Sequence, residues 1–436
     1  MPPTLTDAQV LLAGDQEALG RIRANLLKPL KNNFVERPWG GMRIREFKGL
    51  CALPDQLAVT GLGLGEAFEI AAYGEDAEAR EHPSRLRLED GSELTLAELL
   101  ERHAESLLGE RFTARFGSRL PLLPKILDIK ELLSVQGHPE GNTEVYIIIE
   151  ADPGATIRLG FSEDIDAAEF TRALIAGRRR QAALLSALTG DLDPSTLHGI
   201  LSPWMANRHG GVEALERTLR GWLSRPHEWA EVADLLNALK ALYWQVLDTM
   251  NAIPVRPGQV IHNANPARVV TGTGKAPSAE VHALGNPEGR EILALEIRRP
   301  GPTFRAWDNV RFPIREVDVE AAVAALNLER TAPEEFLIEP EPVAERRGML
   351  RSVISEAFHI EHLRPQGGVP VSVPAEPPHC LHAIRGGARI VDGGGRLIGD
   401  LHQGESAMVP IGVGEYQVES QAPDTEIVKV SLPLRA

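Results

Sequence analysis

Between Ser162 and Asn251 the apolar residues fall at helical spacing, whereas on either side they come in short β-branched runs broken by Gly and Pro. A chain with this pattern must be built mainly of β-structure with a helical block inserted into it. Within the block, "DAAEFTRALIAGRRRQAALLSAL", "GGVEALERTLRGWLSR" and "HEWAEVADLLNALKALYWQVLDTM" each carry one apolar face. The run Arg178, Arg179, Arg180 reads as a solvated face of the first of these. Ahead of the block, "DGSELTLAELLERHAESLLG" reads as a helix that Thr95 opens and Gly109 closes. After Ile253 the β texture returns, and the last hundred residues are short strands with Gly-rich turns. That spacing suggests a jelly roll or barrel rather than a parallel sheet. No repeat of solenoid period occurs. The expected units are 1–161 and 252–320 as two parts of one β domain, 162–251 as the helical insertion, and 321–436 as a second β domain.

A length of 436 residues fits two or three domains. The formal net charge of −15 argues against a general nucleic-acid surface or an anionic-membrane surface. The two cysteines, Cys51 and Cys380, form no disulfide framework and no cysteine zinc motif. The N-terminus lacks a basic segment followed by an apolar run, and no stretch reaches the roughly 18 apolar residues of a membrane span. A soluble, cytoplasmic protein is expected.

The stretch "LPKILDIKELLSVQGHPEGNTEVYIIIE", Leu123–Glu150, carries the chemistry. Gln136 and His138 stand at i and i+2, and in a strand such a pair shares a face. "LLSV" and "VYIII" read as two strands joined by the tight connection "HPEGNT", so that Glu144 returns beside the first. An amide oxygen, an imidazole and a carboxylate converging on one point suit a divalent cation. A fourth ligand would come from another strand, and His262 in "PGQVIHNAN" and His282 in "PSAEVHALG" both qualify.

Taken in order, "NNFVERPWGG", "GLGEAFEI", "PKILDIKELLSVQGHP", "TEVYIIIEADPGATIRLGF", "PSAEVHALG" and "ILALEIRRPGPTFRAWD" resemble the signature blocks of type I mannose-6-phosphate isomerases. The resemblance implies a pair of cupin-like jelly-roll β-barrels with an α-helical subdomain. It implies one Zn²⁺, or another divalent metal, per chain, held by residues that correspond to Gln136, His138, Glu144 and His282. His282 is preferred to His262 because "PSAEVHAL" matches the family's ligand block. Arg305 resembles the family's active-site Arg, Lys125 its pocket Lys and Glu296 its pocket carboxylate. The implied activity is aldose–ketose isomerisation of mannose 6-phosphate and fructose 6-phosphate, or a related sugar phosphate, through an enediol. That chemistry needs a base next to a carbonyl and stabilisation of the oxyanion.

The departures lie on the substrate side. Asn142 stands where the family often has Lys, and Pro300, Gly301 and Pro302 replace a Ser-Asp ahead of Arg305. Two other readings follow from them: a metal-bearing cupin that binds a sugar without turning it over, and an isomerase of a different sugar. His359, His362, His379 and His382 invite a second metal site, but each pair at i, i+3 points to opposite faces of a strand. "GTGKAPS" and "VDGGGR" lack Walker spacing and read as turns.

Overall fold

The computed structural model describes residues 5–50, 63–74, 76–139, 141–188, 192–223, 229–264 and 279–434. The segment "GTGKAPS" and Cys51 lie outside the described residues. The chain is mainly β. A seven-stranded antiparallel sheet runs in the order Phe34–Arg37, Gly63–Phe68, Lys125–Ile129, Ile292–Arg298, Glu144–Ala151, Val260–Asn263, Leu337–Ile338. A five-stranded sheet faces it, in the order Phe304–Trp307, Val135–Gly137, His282–Ala283, Thr156–Phe161, Met250–Pro254. A second pair of sheets, six-stranded and four-stranded, is formed by strands between Glu341 and Ser431. Two cupin-like barrels result.

Why these strands stay in register follows from the pleat. Along Glu144–Ala151, Val145, Ile147 and Ile149 pack with Ile360, Val428 and Val430 of the second barrel. Tyr146 and Ile148 turn the other way and pack with Leu127, Ile157 and Ala294 inside the first barrel. Both faces of this strand are therefore covered, which explains a nearly unbroken apolar run where a one-sided strand would alternate. Each such side chain contributes roughly 1.5–3 kcal/mol on burial. A one-residue slip would exchange the two faces and is strongly disfavoured.

The helices do the same for the smaller sheet. Asp166 caps Ala167–Ala187 by accepting from the Glu169 N–H, and Asp193 with Pro194 opens Pro194–Ala206. With Trp229–Asp248 these helices bury Leu174, Leu201, Leu236 and Leu239 in one cluster with Val135, Ala283 and Ala306 of the five-stranded sheet. The outer residues of that sheet are thus capped by helices. The alternate positions Gln136, His282 and Arg305 belong to its inner face.

The expected hairpin does not form. The strands Val135–Gly137 and Glu144–Ala151 are not a hairpin; they belong to different sheets. The connection crosses from one sheet to the other, so Glu144 meets Gln136 and His138 across the barrel rather than along a shared ladder.

The opening block "ERPWGG" also has a physical account. Gly40 and Gly41 lie against the Gly63–Phe68 strand, where a Cβ on Gly40 would overlap the Gly63 backbone. A Cβ on Gly41 would overlap the carboxylates of Asp128 and Glu291. Only glycine allows this approach, which places Trp39 in the barrel interior.

Candidate metal centre and active site

His282 pairs directly with Gln136, and Arg305 pairs with Gln136 from the other side. Residues opposite one another in an antiparallel ladder share a face, so these three side chains form a row. On the facing sheet Glu144 pairs with Asn263 and Arg298, while Glu296 pairs with Tyr146 and Lys125. The two inner faces enclose a cavity of about 330 Å³, lined among others by Gln136, His138, Glu144, Lys125, Glu296 and Arg305.

Nitrogen and oxygen atoms of His138, Glu144 and His282 lie within 4.8 Å of one another, and all three residues are buried. Among the described residues this is the sole such cluster of His, Cys, Asp and Glu. His138 Nε2 is 2.7 Å from Glu144 Oε1, and His282 Nε2 is 3.4 Å from Glu144 Oε2. His138 donates its Nδ1–H to the Pro302 carbonyl at 3.1 Å, and His282 donates Nδ1–H to the Glu280 carbonyl at 2.8 Å. Anchoring one nitrogen to a backbone oxygen fixes the tautomer and turns the Nε2 lone pair inward, as in metal sites generally. Tyr146 donates its hydroxyl to Glu144 Oε2. Asn263 accepts the Glu280 N–H at 2.8 Å and so steadies the segment that carries His282.

The residues fit a cation. His138 Nε2 is buried and, despite its closeness to Glu144, is not in hydrogen-bonding geometry. Burial opposes ionisation of Glu144, whereas positive charge at the neighbouring His138 and His282 lowers its pKa well below the usual range. Burial pushes His282 down to about 4, so at neutral pH that imidazole carries a lone pair and no charge. An ionised carboxylate facing a buried neutral imidazole calls for positive charge from elsewhere. Gln136 Nε2 is 3.1 Å from His282 Nε2, and its Oε1 accepts from Ser134 Oγ at 2.9 Å. Rotating the amide by half a turn, an assignment that the hydrogen-bond network decides, presents Oε1 to the cluster and lets Nε2 donate to Ser134. The set is then two imidazoles, a carboxylate and an amide oxygen, a borderline donor set that suits zinc.

His262 is not part of it. Its neighbours Ile261 and Asn263 face inward, opposite Tyr146 and Glu144, whereas His262 lies opposite Val145 and faces the inter-barrel core near Phe358. Three of the four C-terminal histidines have partners of their own: His362 with Glu426, His379 with Tyr416 and His382 with Ser406.

Of the three candidate catalytic residues, Arg305 is half-buried at the cavity, and among the described residues no hydrogen bond or ion pair holds its guanidinium. Burial, with Arg315 nearby, lowers its pKa. Glu296 is buried, and burial together with Glu144 pushes its carboxyl up to about 8. Lys125 is already engaged: its Nζ is 2.6 Å from Glu78 Oε2 and 4.5 Å from the Phe68 ring centre. Tyr146 and Arg298 escaped the sequence reading although both keep the two-residue period, two after Glu144 and two after Glu296. Glu78, on the short helix Ala77–Glu81, carried no such signal. The turn Pro300–Pro302 is more than a loss of polar groups, since its last carbonyl orients His138.

The class defined by this fold and site is a double cupin with a buried two-histidine, one-glutamate cluster in its first barrel. Residues 69–155 match the family model described as phosphomannose isomerase type I, catalytic domain. Mannose-6-phosphate isomerase ManA of Bacillus subtilis (strain 168) is 22% identical over 407 residues, covering 89% of this chain and 94% of ManA. YvyI of the same organism, which its name gives provisional standing as a mannose-6-phosphate isomerase, is 31% identical over 139 residues. That match spans 29% of this chain and 38% of YvyI. The solved mannose 6-phosphate isomerase of Bacillus subtilis superposes with a TM-score of 0.58 at 18% identity, covering 94% of this chain and all (100%) of that one. A mannose 6-phosphate isomerase bound with zinc and yttrium gives 0.58 at 16% identity over the same shares. The chain thus resembles type I phosphomannose isomerases in its catalytic-domain segment and, at low identity, along most of its length.

Proposed function

We propose that the protein is a divalent-metal-dependent aldose–ketose isomerase acting on mannose 6-phosphate and fructose 6-phosphate or a related sugar phosphate. The observation that carries this reading is the meeting, at one cavity, of the His138, Glu144, His282 cluster with the carboxyl of Glu296 and the guanidinium of Arg305, which no hydrogen bond or ion pair holds among the described residues. Gln136, His138, Glu144 and His282 would hold the metal, with zinc the best match to the donor set. When bound, the metal supplies Lewis acidity toward adjacent sugar oxygens. The rest falls to this chain. Glu296, buried on the inner face, would take a proton from the carbon next to the carbonyl and return it to the neighbouring carbon. Arg305 offers a permanent planar charge to the enediolate or to the phosphate. Tyr146 and the two backbone carbonyls hold the cluster still.

The test is a screen of hexose and pentose phosphates, and of free sugars, for isomerase turnover by purified protein of measured metal content. Turnover of mannose 6-phosphate or a close relative, abolished by Glu296→Gln, is expected. Sugar binding without turnover of any of them would leave a sugar-binding cupin instead.

A further inference from the structure

Lys125 and Arg298 stand on neighbouring strands at the cavity wall, their side chains only 4% and 3% exposed. Both meet most closely at a single oxygen, with Glu66 3.9 Å from Lys125 and Glu296 3.9 Å from Arg298 as more distant partners. Glu78 Oε2 is 2.6 Å from Lys125 Nζ and 2.8 Å from Arg298 Nη2. Glu78 is itself 32% exposed and lines the cavity from the helix Ala77–Glu81. That helix is pinned at its N-terminus, where Asp76 accepts both the Ala79 N–H and the Gly301 N–H at 3.0 Å. Burial alone would push the Glu78 carboxyl up, but the two cations hold it down at about 2. It is charged whenever the protein is folded near neutral pH.

Two buried cations side by side make an anion site, and here the protein's own carboxylate fills it. Nearby Arg37 is likewise taken, by Glu66 at 2.6 Å. On the opposite wall Arg305 has no such partner among the described residues, and Arg315 approaches Asp308 only to 3.6 Å. The cavity is thus polarised: carboxylate on the Lys125 wall, open guanidinium on the Arg305 wall.

We propose that Glu78 is a specificity-determining residue. Its carboxylate bars a phosphate from the Lys125–Arg298 wall, accepts sugar hydroxyls there, and so orients the anionic end of the substrate toward Arg305. Discrimination of this kind works through repulsion of the wrong pose as much as attraction of the right one. The inference rests on the sugar-phosphate reading of the cavity, but its test does not need turnover.

The test titrates inorganic phosphate into the metal-loaded protein by calorimetry at fixed ionic strength. Glu78→Gln, which keeps the shape and removes the charge, should bind phosphate at least about tenfold more tightly than the parent. Glu78→Ala, which also opens space, should gain similarly, so a folding failure of one variant leaves the other to decide. Adding Lys125→Met should cancel the gain. Phosphate affinity within about twofold of the parent in the folded variants would overturn the proposal, as would a gain that survives Lys125→Met. A gain in a parent background that turns over no sugar phosphate would uphold the role of Glu78 and remove the isomerase reading. Turnover by the parent without the gain would do the reverse.

Discussion

At the scale of single residues, what separates a ligand histidine from a core histidine here is which way its strand turns it. His138 and His282 have Nδ1 anchored on backbone carbonyls and Nε2 aimed at Glu144. His262, as buried in chemistry if not in full, faces an apolar core, and burial lowers its pKa to about 4. His138→Ala should therefore lower metal affinity by at least about a hundredfold, beyond the 10- to 100-fold typical of losing a supporting partner. His262→Ala should leave metal content at the parent's level. Elemental analysis after dialysis against a chelator of graded strength reads both, and equal retention by the two variants would misplace the site. Arg305→Lys tests the functional half of the account. Lysine keeps the charge but not the planar fork, and loss of a preorganised group that acts in the transition state costs on the order of 10²–10³ in kcat. A kcat within about tenfold of the parent would return Arg305 to the role of a rim residue. Gln136, Glu144 and His282 were legible because spacing and a block resemblance marked them. Glu78 was not, because a carboxylate on a five-residue helix has no period to betray it.

At the scale of elements, the short helix Arg43–Phe47 and the strand Lys125–Ile129 are joined by Asp128, whose Oδ2 accepts the Ile44 N–H at 2.9 Å. Burial, with Glu291 beside it, pushes the Asp128 carboxyl up to about 7, although the backbone donors of Ile44 and Arg43 and the Arg43 charge pull the other way. A folded pKa raised above the unfolded value of 3.8 means that the folded state holds a proton that the unfolded state has released. The parent should thus lose stability as pH rises from about 4 to about 7, by on the order of a few kcal/mol, and level off above. Asp128→Asn cannot titrate and keeps an acceptor for Ile44, so its stability relative to the parent should climb across that window. Urea melts at pH 5 and pH 8 measure this, and an unchanged difference would remove Asp128 from the account. Elements were read from sequence with uneven success for a physical reason. The helix opened by Thr95 has its capping box with Glu98, because caps are local chemistry. The supposed hairpin at "HPEGNT" failed because a turn-rich connection of that length serves equally to cross between sheets. Only the partners of each strand, which are far away in sequence, distinguish the two.

At the scale of the whole molecule, the first barrel is held between two supports. Its larger sheet packs on the second barrel, and its smaller sheet packs on the inserted helices. Each support buries one face of a sheet and leaves the other to line the cavity, so the polar inner row can exist inside a core that is otherwise apolar. The alternation of textures along the chain foretold the β frame and the insertion, since burial on two faces and helical period are both visible in one dimension. The pairing of the sheets, and hence the company kept by Arg305 and Lys125, was not visible there. We propose that this cavity moves a proton between adjacent sugar carbons with a metal held at the His138, Glu144, His282 cluster. The most direct measurement follows mannose 6-phosphate by proton NMR in D₂O with the metal-loaded protein. The account predicts conversion to the ketose with solvent deuterium entering at the carbon next to the carbonyl, and loss of both signals in His138→Ala and Glu296→Gln. Neither exchange nor conversion with this or any other hexose phosphate, in protein carrying one metal per chain, would contradict it.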